Sequence, residues 1–168
     1  IQPTHFAYAG GSAADNMWDF NRNGLIGAFG NKTQWYYYAQ EANAHVGAMD
    51  HILMNSYNEK VIALGTAATD TEDLINDSKM DVTSAKSYKK LTGVSDNANV
   101  LIGCFDYKGK TALYVVNYNY DSAQNDIVLQ FDGTSNITMY KNATETKTTG
   151  SSVELDMAAG EGILLVIE

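Results

Sequence analysis

Residues 19–24, DFNRNG, open like a calcium-binding loop, with oxygen-bearing side chains at alternate positions and glycine at the sixth. Such a loop closes on a bidentate glutamate at its twelfth position, which here is Gly30. The match fails. A second acidic group, Asp70, Glu72 and Asp73, reads as a solvated loop rather than an ion site. His45 and His51 are six residues apart, which on a helix turns them in different directions and makes no zinc pair; His5 stands alone. Cys104 is the single cysteine, so no internal disulfide is possible, and within VLIGCFDY it reads as a buried thiol, not a nucleophile. Gly10-Gly11 lacks the later glycine and Lys-Ser/Thr ending of a phosphate loop. No metal, no cofactor and no catalytic triad is expected from these spacings.

The aromatic residues offer a different chemistry. Trp18, in DNMWDFN, has the flat ring that could stack on a sugar face, or else serve as a packed aromatic plug. Tyr36, Tyr37 and Tyr38 are consecutive, and on a helix they point about 100° apart, so they cannot form one platform. Core and boundary packing is expected of them. Tyr114, Tyr118 and Tyr120 share strand parity and with Tyr107 could line one sheet face, although packing is again the commoner role.

Charge removes other classes. Twenty acids against eleven bases give a net charge of -9, and Arg22 is the only arginine, so a nucleic-acid groove is not expected. No run of eighteen apolar residues is available to cross a membrane. The acidic, Asn/Thr/Tyr-rich composition fits a secreted or cell-surface protein. Asn31, Asn76, Asn136 and Asn142 begin glycosylation sequons, which carry meaning only in a host that glycosylates them. The start at Ile1 points to a boundary or a cleavage rather than a native initiator.

The elements that position these residues change character along the chain. THFAY alternates like a strand, GGSAADN is a loop, Asn23-Gly24 turns, and GLIGAF is a short strand or hairpin arm. Asn31 with Gln34 matches a helix cap and its reciprocal partner. From about residue 32 to 56, Trp35, Ala39, Ala42, Val46, Met49 and Leu53 recur at three- and four-residue steps, one stripe of an amphipathic helix. Burying its large side chains would contribute about 1.5–3 kcal/mol each, so the stripe needs a partner. VIALG reads as a strand, and residues 66–99 as an irregular excursion. Strands are then expected at 100–107, 111–119, 126–131, 136–141, 152–157 and 161–168, with Lys108-Gly109 a tight hairpin and Asp132-Gly133 a turn. Their spacing predicts an antiparallel sandwich, and ILLVI, apolar on both faces, should lie centrally in it.

With these pieces in place, FAYAGG followed by MWDFNRNGLIGAFGNKTQWYYYAQEANAHV resembles the last strand, loop, hairpin and helix of a (β/α)8-barrel glycoside hydrolase. NVLIGCFDYKGKTALYVVNYN and LDMAAGEGILLVIE resemble the first and last strands of the β-sandwich appended to such barrels. The resemblance implies an α+β chain: a barrel end over residues 1–58, then a β-sandwich over 59–168. It implies a hydrolase whose two catalytic carboxylates sit on earlier barrel strands, so none is assigned here. The loop after the eighth strand faces substrate in such barrels, which makes Tyr8, Trp18 and Asp19 candidates for sugar contacts. The expected partners are carbohydrate and an upstream barrel segment or companion chain. A non-catalytic carbohydrate-binding or structural β-module is the competing expectation.

Overall fold

The computed structural model describes residues 24–26, 30–75, 77 and 81–168. The chain divides into two compact units, Ile1–Gly47 and Ala48–Glu168.

In the first unit, Ile26 bridges Lys32 in antiparallel fashion, and Thr33 donates its hydroxyl to the Gly24 and Leu25 carbonyls at 2.6 and 3.1 Å. Helix α1, Gln34–Leu53, begins directly after Thr33, about two residues later than a cap at Asn31 would set. The aromatic packing expected at its start is not complete. Trp35, Tyr37 and Tyr38 are each about half exposed, at 48%, 51% and 53%, and Val46 is also open. Trp35 and Tyr38, three residues apart, meet edge to face with centroids 5.8 Å apart.

The second unit is built mainly of strands. After the end of α1 come β1 (Ser56–Ala63), the short helices α2 (Thr66–Asp70) and α3 (Glu72–Ile75), then β2 (Val82–Thr83) and β3 (Leu91–Val94). The chain finishes with β4 (Val100–Tyr107), β5 (Lys110–Asn117), β6 (Gln124–Lys141), β7 (Thr144–Met157) and β8 (Gly162–Ile167). Among its described residues, the excursion at 66–99 thus holds two short helices and two short strands. The expected α+β class holds.

The strands join one eight-stranded sheet in the order β2-β1-β4-β5-β8-β6-β3, with β7 paired to β6. Where two sheets and an Asp132-Gly133 turn were expected, β6 runs on through that dipeptide. Register passes from Gln130↔Ser152 to Ser135↔Gly150, and Gly133 takes up the irregularity with φ +73°. The first half of β6 pairs with β3 and its second half with β8, so one long strand links both sides of the core. The hairpin turn falls later, at Asn142-Ala143 between Lys141 and Thr144. Lys108-Gly109 turns between Tyr107 and Lys110 as its sequence requires.

Strand β8 lies between β5 and β6, as its two apolar faces demand. Ile163, Leu165 and Ile167 enter the main core with Ile102, Leu113, Leu129 and Leu155. Leu164 and Val166 point the other way and are covered by Met49 and Ile52 from the last turns of α1, together with Ala112 and Tyr140. Met49 and Ile52, three residues apart, are 1% and 2% exposed. No helix among the described residues is long and apolar enough to cross a membrane.

Candidate functional site

Tyr8, Trp18 and Asp19, the substrate contacts expected from the sequence, lie outside the described residues, as does most of the failed calcium loop. The tyrosine strip does not assemble as one open face. Tyr107 and Tyr114 pack beside the α1 contact, and Tyr118 donates its hydroxyl to Asp70 Oδ2 at 3.1 Å. Tyr120 alone of the four is fully open, at 88%. The physical reason is strand order: Tyr114 lies opposite Leu164 in the sheet, under the same layer that α1 covers. Among the described residues, no three His, Cys, Asp or Glu side chains are grouped to hold a metal ion. Cys104 is buried, and desolvation pushes its thiol up to about 12, so it is no nucleophile at neutral pH.

Two polar clusters stand out. In the first, Lys89 bridges Asp106 Oδ2 at 2.6 Å and Glu59 Oε2 at 3.0 Å, and Tyr88 donates its hydroxyl to Glu59. The hydrogen bond from Tyr88, then the one from Lys89, holds Glu59 below the usual carboxylate range. Lys89, then the Gly109 N–H at 2.9 Å, does the same for Asp106. Desolvation, then Glu59, raises the Tyr88 hydroxyl to about 12. Every group has a partner, which makes this a clamp between β1, β4 and the turn before β3.

The second cluster lies on the outer sheet face beside the end of α1. Alternation along four strands sends Lys110 from β5, Thr138 and Tyr140 from β6, Glu145 and Lys147 from β7 and Glu168 after β8 to this one face. With His51, Ile52, Tyr107 and Val166 they line an open depression of about 230 Å³. Lys110 pairs with Glu168, and Lys147 with Glu145 at 2.9 Å. Tyr140 donates its hydroxyl to Glu145 at 3.0 Å, and the His51 ring meets Tyr140 edge to face at 5.9 Å. Burial, then Glu145, raises the Tyr140 hydroxyl to about 12.

Glu145 is held low by Lys147 and Tyr140, and Glu168 by Lys110, so both are ionised at neutral pH. Glycoside hydrolysis by two carboxylates needs one of them kept protonated, and neither cluster provides that environment. The depression was not legible from spacing. Its residues come from four strands and a helix end, and only the strand order brings their shared parity to one place. No family model, curated protein or solved structure matches the chain.

Proposed function

We propose that the chain is the C-terminal portion of a glycoside hydrolase, supplying the last element of a (β/α)8 barrel and an accessory β-domain, with the catalytic carboxylates elsewhere in the polypeptide. The observation that carries this reading is the division of labour along α1. Its last turns bury Met49 and Ile52 on the sheet, while Trp35, Tyr37 and Tyr38 at its start keep about half their surface open. Three large half-open aromatics on four consecutive positions suit a helix whose first turns pack on further protein. The pairing of the two resembling segments adds support. ALYVVN and GEGILLV lie side by side as β5 and β8, with Asn117 N–H bonded to the Glu161 carbonyl at 2.9 Å.

The test is hydrolysis of oligosaccharides by the polypeptide of the complete reading frame, beside the 168-residue chain alone. Activity in the longer protein and none in the chain is the expected result. A reading frame with no upstream barrel, or one inactive on every glycoside offered, overturns the proposal. The second reading, a carbohydrate-binding module of secreted or surface origin, draws on the depression beside His51. It predicts sugar binding by the chain without any hydrolytic companion.

A further inference from the structure

We infer that the first half of β7 is a self-association edge, where a second copy of this chain adds its own β7 antiparallel about a two-fold axis at Thr146. The contact lies wholly within the β-domain and does not depend on the hydrolase proposal.

The backbone supplies the open groups. Strand β6 flanks β7 on one side, and among the described residues no strand flanks it on the other. Glu168 N–H donates to the Asn136 carbonyl at 2.9 Å, so even-numbered backbone groups in this half of β6 face β8 and odd-numbered ones face β7. Through the register Ile137↔Thr148, Met139↔Thr146 and Lys141↔Thr144, the amides of these three threonines are engaged with β6. Those of Glu145, Lys147 and Thr149 point to the open side. Every residue from Thr144 to Thr149 is exposed, and pairing with β6 runs from Thr144 to Gly150 without a bulge. The two ends of the sheet are blunter: β2 has two residues, and β3 has four with an irregularity between Leu91 and Gly93.

The sequence of the edge is complementary to itself. Thr144-Glu145-Thr146-Lys147-Thr148 reads the same in both directions apart from an exchange of charge about Thr146. An axis at Thr146 sets each Glu145 opposite the Lys147 of the other copy, and each such pair exchanges two backbone hydrogen bonds. On the reverse face it sets Thr146 against Thr146, and Thr144 against Thr148, a ladder of β-branched hydroxyl residues suited to strands. An axis at Lys147 would bring two ammonium groups together, and one at Glu145 two carboxylates. Within one chain Glu145 and Lys147 already pair at 2.9 Å, but they stay 43% and 73% exposed. An ammonium has three donors and a carboxylate about four acceptor sites, so each has capacity for its counterpart across the seam. Five residues from each copy make a small contact, which sets a weak dimer.

The experiment is sedimentation velocity of the 168-residue chain from about 10 μM to about 1 mM, with amide hydrogen exchange at both ends of that range. The expected result is a dimer fraction that rises with concentration while the Glu145 and Lys147 amides slow and the Thr149 amide stays fast. Lys147→Glu should weaken association at least about tenfold with the fold intact, since an exposed pair contributes little to stability. Adding Glu145→Lys to that variant should restore it, because opposite charges again face each other. Lys147→Pro removes an amide that β6 does not use and should abolish the dimer; if that variant does not fold, the charge exchange decides. A chain monomeric at the highest concentration overturns the inference. So does a dimer that Lys147→Glu leaves unchanged, or one in which Thr149 slows and Glu145 does not.

Discussion

The side-chain amide of Gln124 donates to the side-chain oxygen of Asn117, joining the start of β6 to the end of β5 inside the β-domain. Asn117 is 2% exposed and bonded on both sides of its amide. Its Nδ2 donates to the carbonyls of Ser122 at 2.9 Å and Ala158 at 2.8 Å, and its Oδ1 also accepts from Asn119 N–H at 2.9 Å. Gln124 in turn exchanges two bonds with the Asn99 backbone, at 2.8 and 2.7 Å. Three loops therefore close on one amide. Asn117→Ala should cost roughly 2–3 kcal/mol in urea unfolding, because it strands buried backbone groups. Asn117→Asp keeps the shape but turns an acceptor towards two carbonyls, so at neutral pH it should cost at least as much as alanine. An aspartate variant as stable as the parent would show that the amide donors contribute nothing.

The hairpin between β6 and β7 turns on Asn142 and Ala143, with φ of +49° and +58°. Asparagine tolerates that region, whereas alanine is strained there by its Cβ. Ala143→Gly should therefore stabilise the domain by on the order of 0.5–1 kcal/mol, read as a rise in the urea midpoint at unchanged slope.

The two turns show where the sequence was legible and where it was not. Lys108-Gly109 announces itself because glycine sits between two alternating runs, and it turns as read. Asn142-Ala143 carries no glycine, while Asp132-Gly133 does, so local chemistry pointed to the wrong place for the second hairpin. Gly133 does adopt positive φ, but inside β6, where the chain needs an irregularity rather than a reversal. The central place of β8 was legible because two apolar faces demand cover on both sides. Which helix residues supply that cover was half legible: Met49 belongs to the Trp35–Leu53 stripe, and Ile52 lies just off it. The depression beside His51 depends on long-range strand order, which no local pattern encodes.

Gly65 precedes α2 with φ +67° and ψ -138°, a combination open to glycine and almost closed to other residues. A Cβ there would also lie 2.9 Å from Asn99 Cα and 3.0 Å from the Ala98 carbonyl oxygen. Both neighbours are backbone and cannot turn aside. Gly65→Ala should destabilise the β-domain by roughly 2 kcal/mol or more, measured by chemical unfolding. A neutral result would mean that this loop does not hold the conformation that ties α2 to Asn99.

The Lys89 clamp predicts how stability follows pH. Glu59 and Asp106 have folded values below their ordinary ones, so their contribution is complete above the unfolded carboxylate range and disappears as pH falls through the folded values. Tyr88 has the opposite sign. Raised to about 12, it favours the fold below the ordinary tyrosine value near 10, and that contribution fades as pH climbs towards 12. Unfolding free energy followed from neutrality should therefore decline on both sides, below about pH 4.5 and above about pH 10. Lys89→Ala should make the acid limb shallower by removing the cation that both carboxylates share, leaving the part due to other paired carboxylates such as Glu145 and Glu168. Tyr88→Phe should make the alkaline limb shallower, leaving the part due to Tyr140. Because Glu59, Lys89 and Asp106 are partly open to water, added salt should weaken the acid effect more in the parent than in Lys89→Ala, which keeps the Glu145–Lys147 and Glu168–Lys110 pairs. An acid limb equally steep in parent and Lys89→Ala would place the relevant carboxylates elsewhere in the molecule.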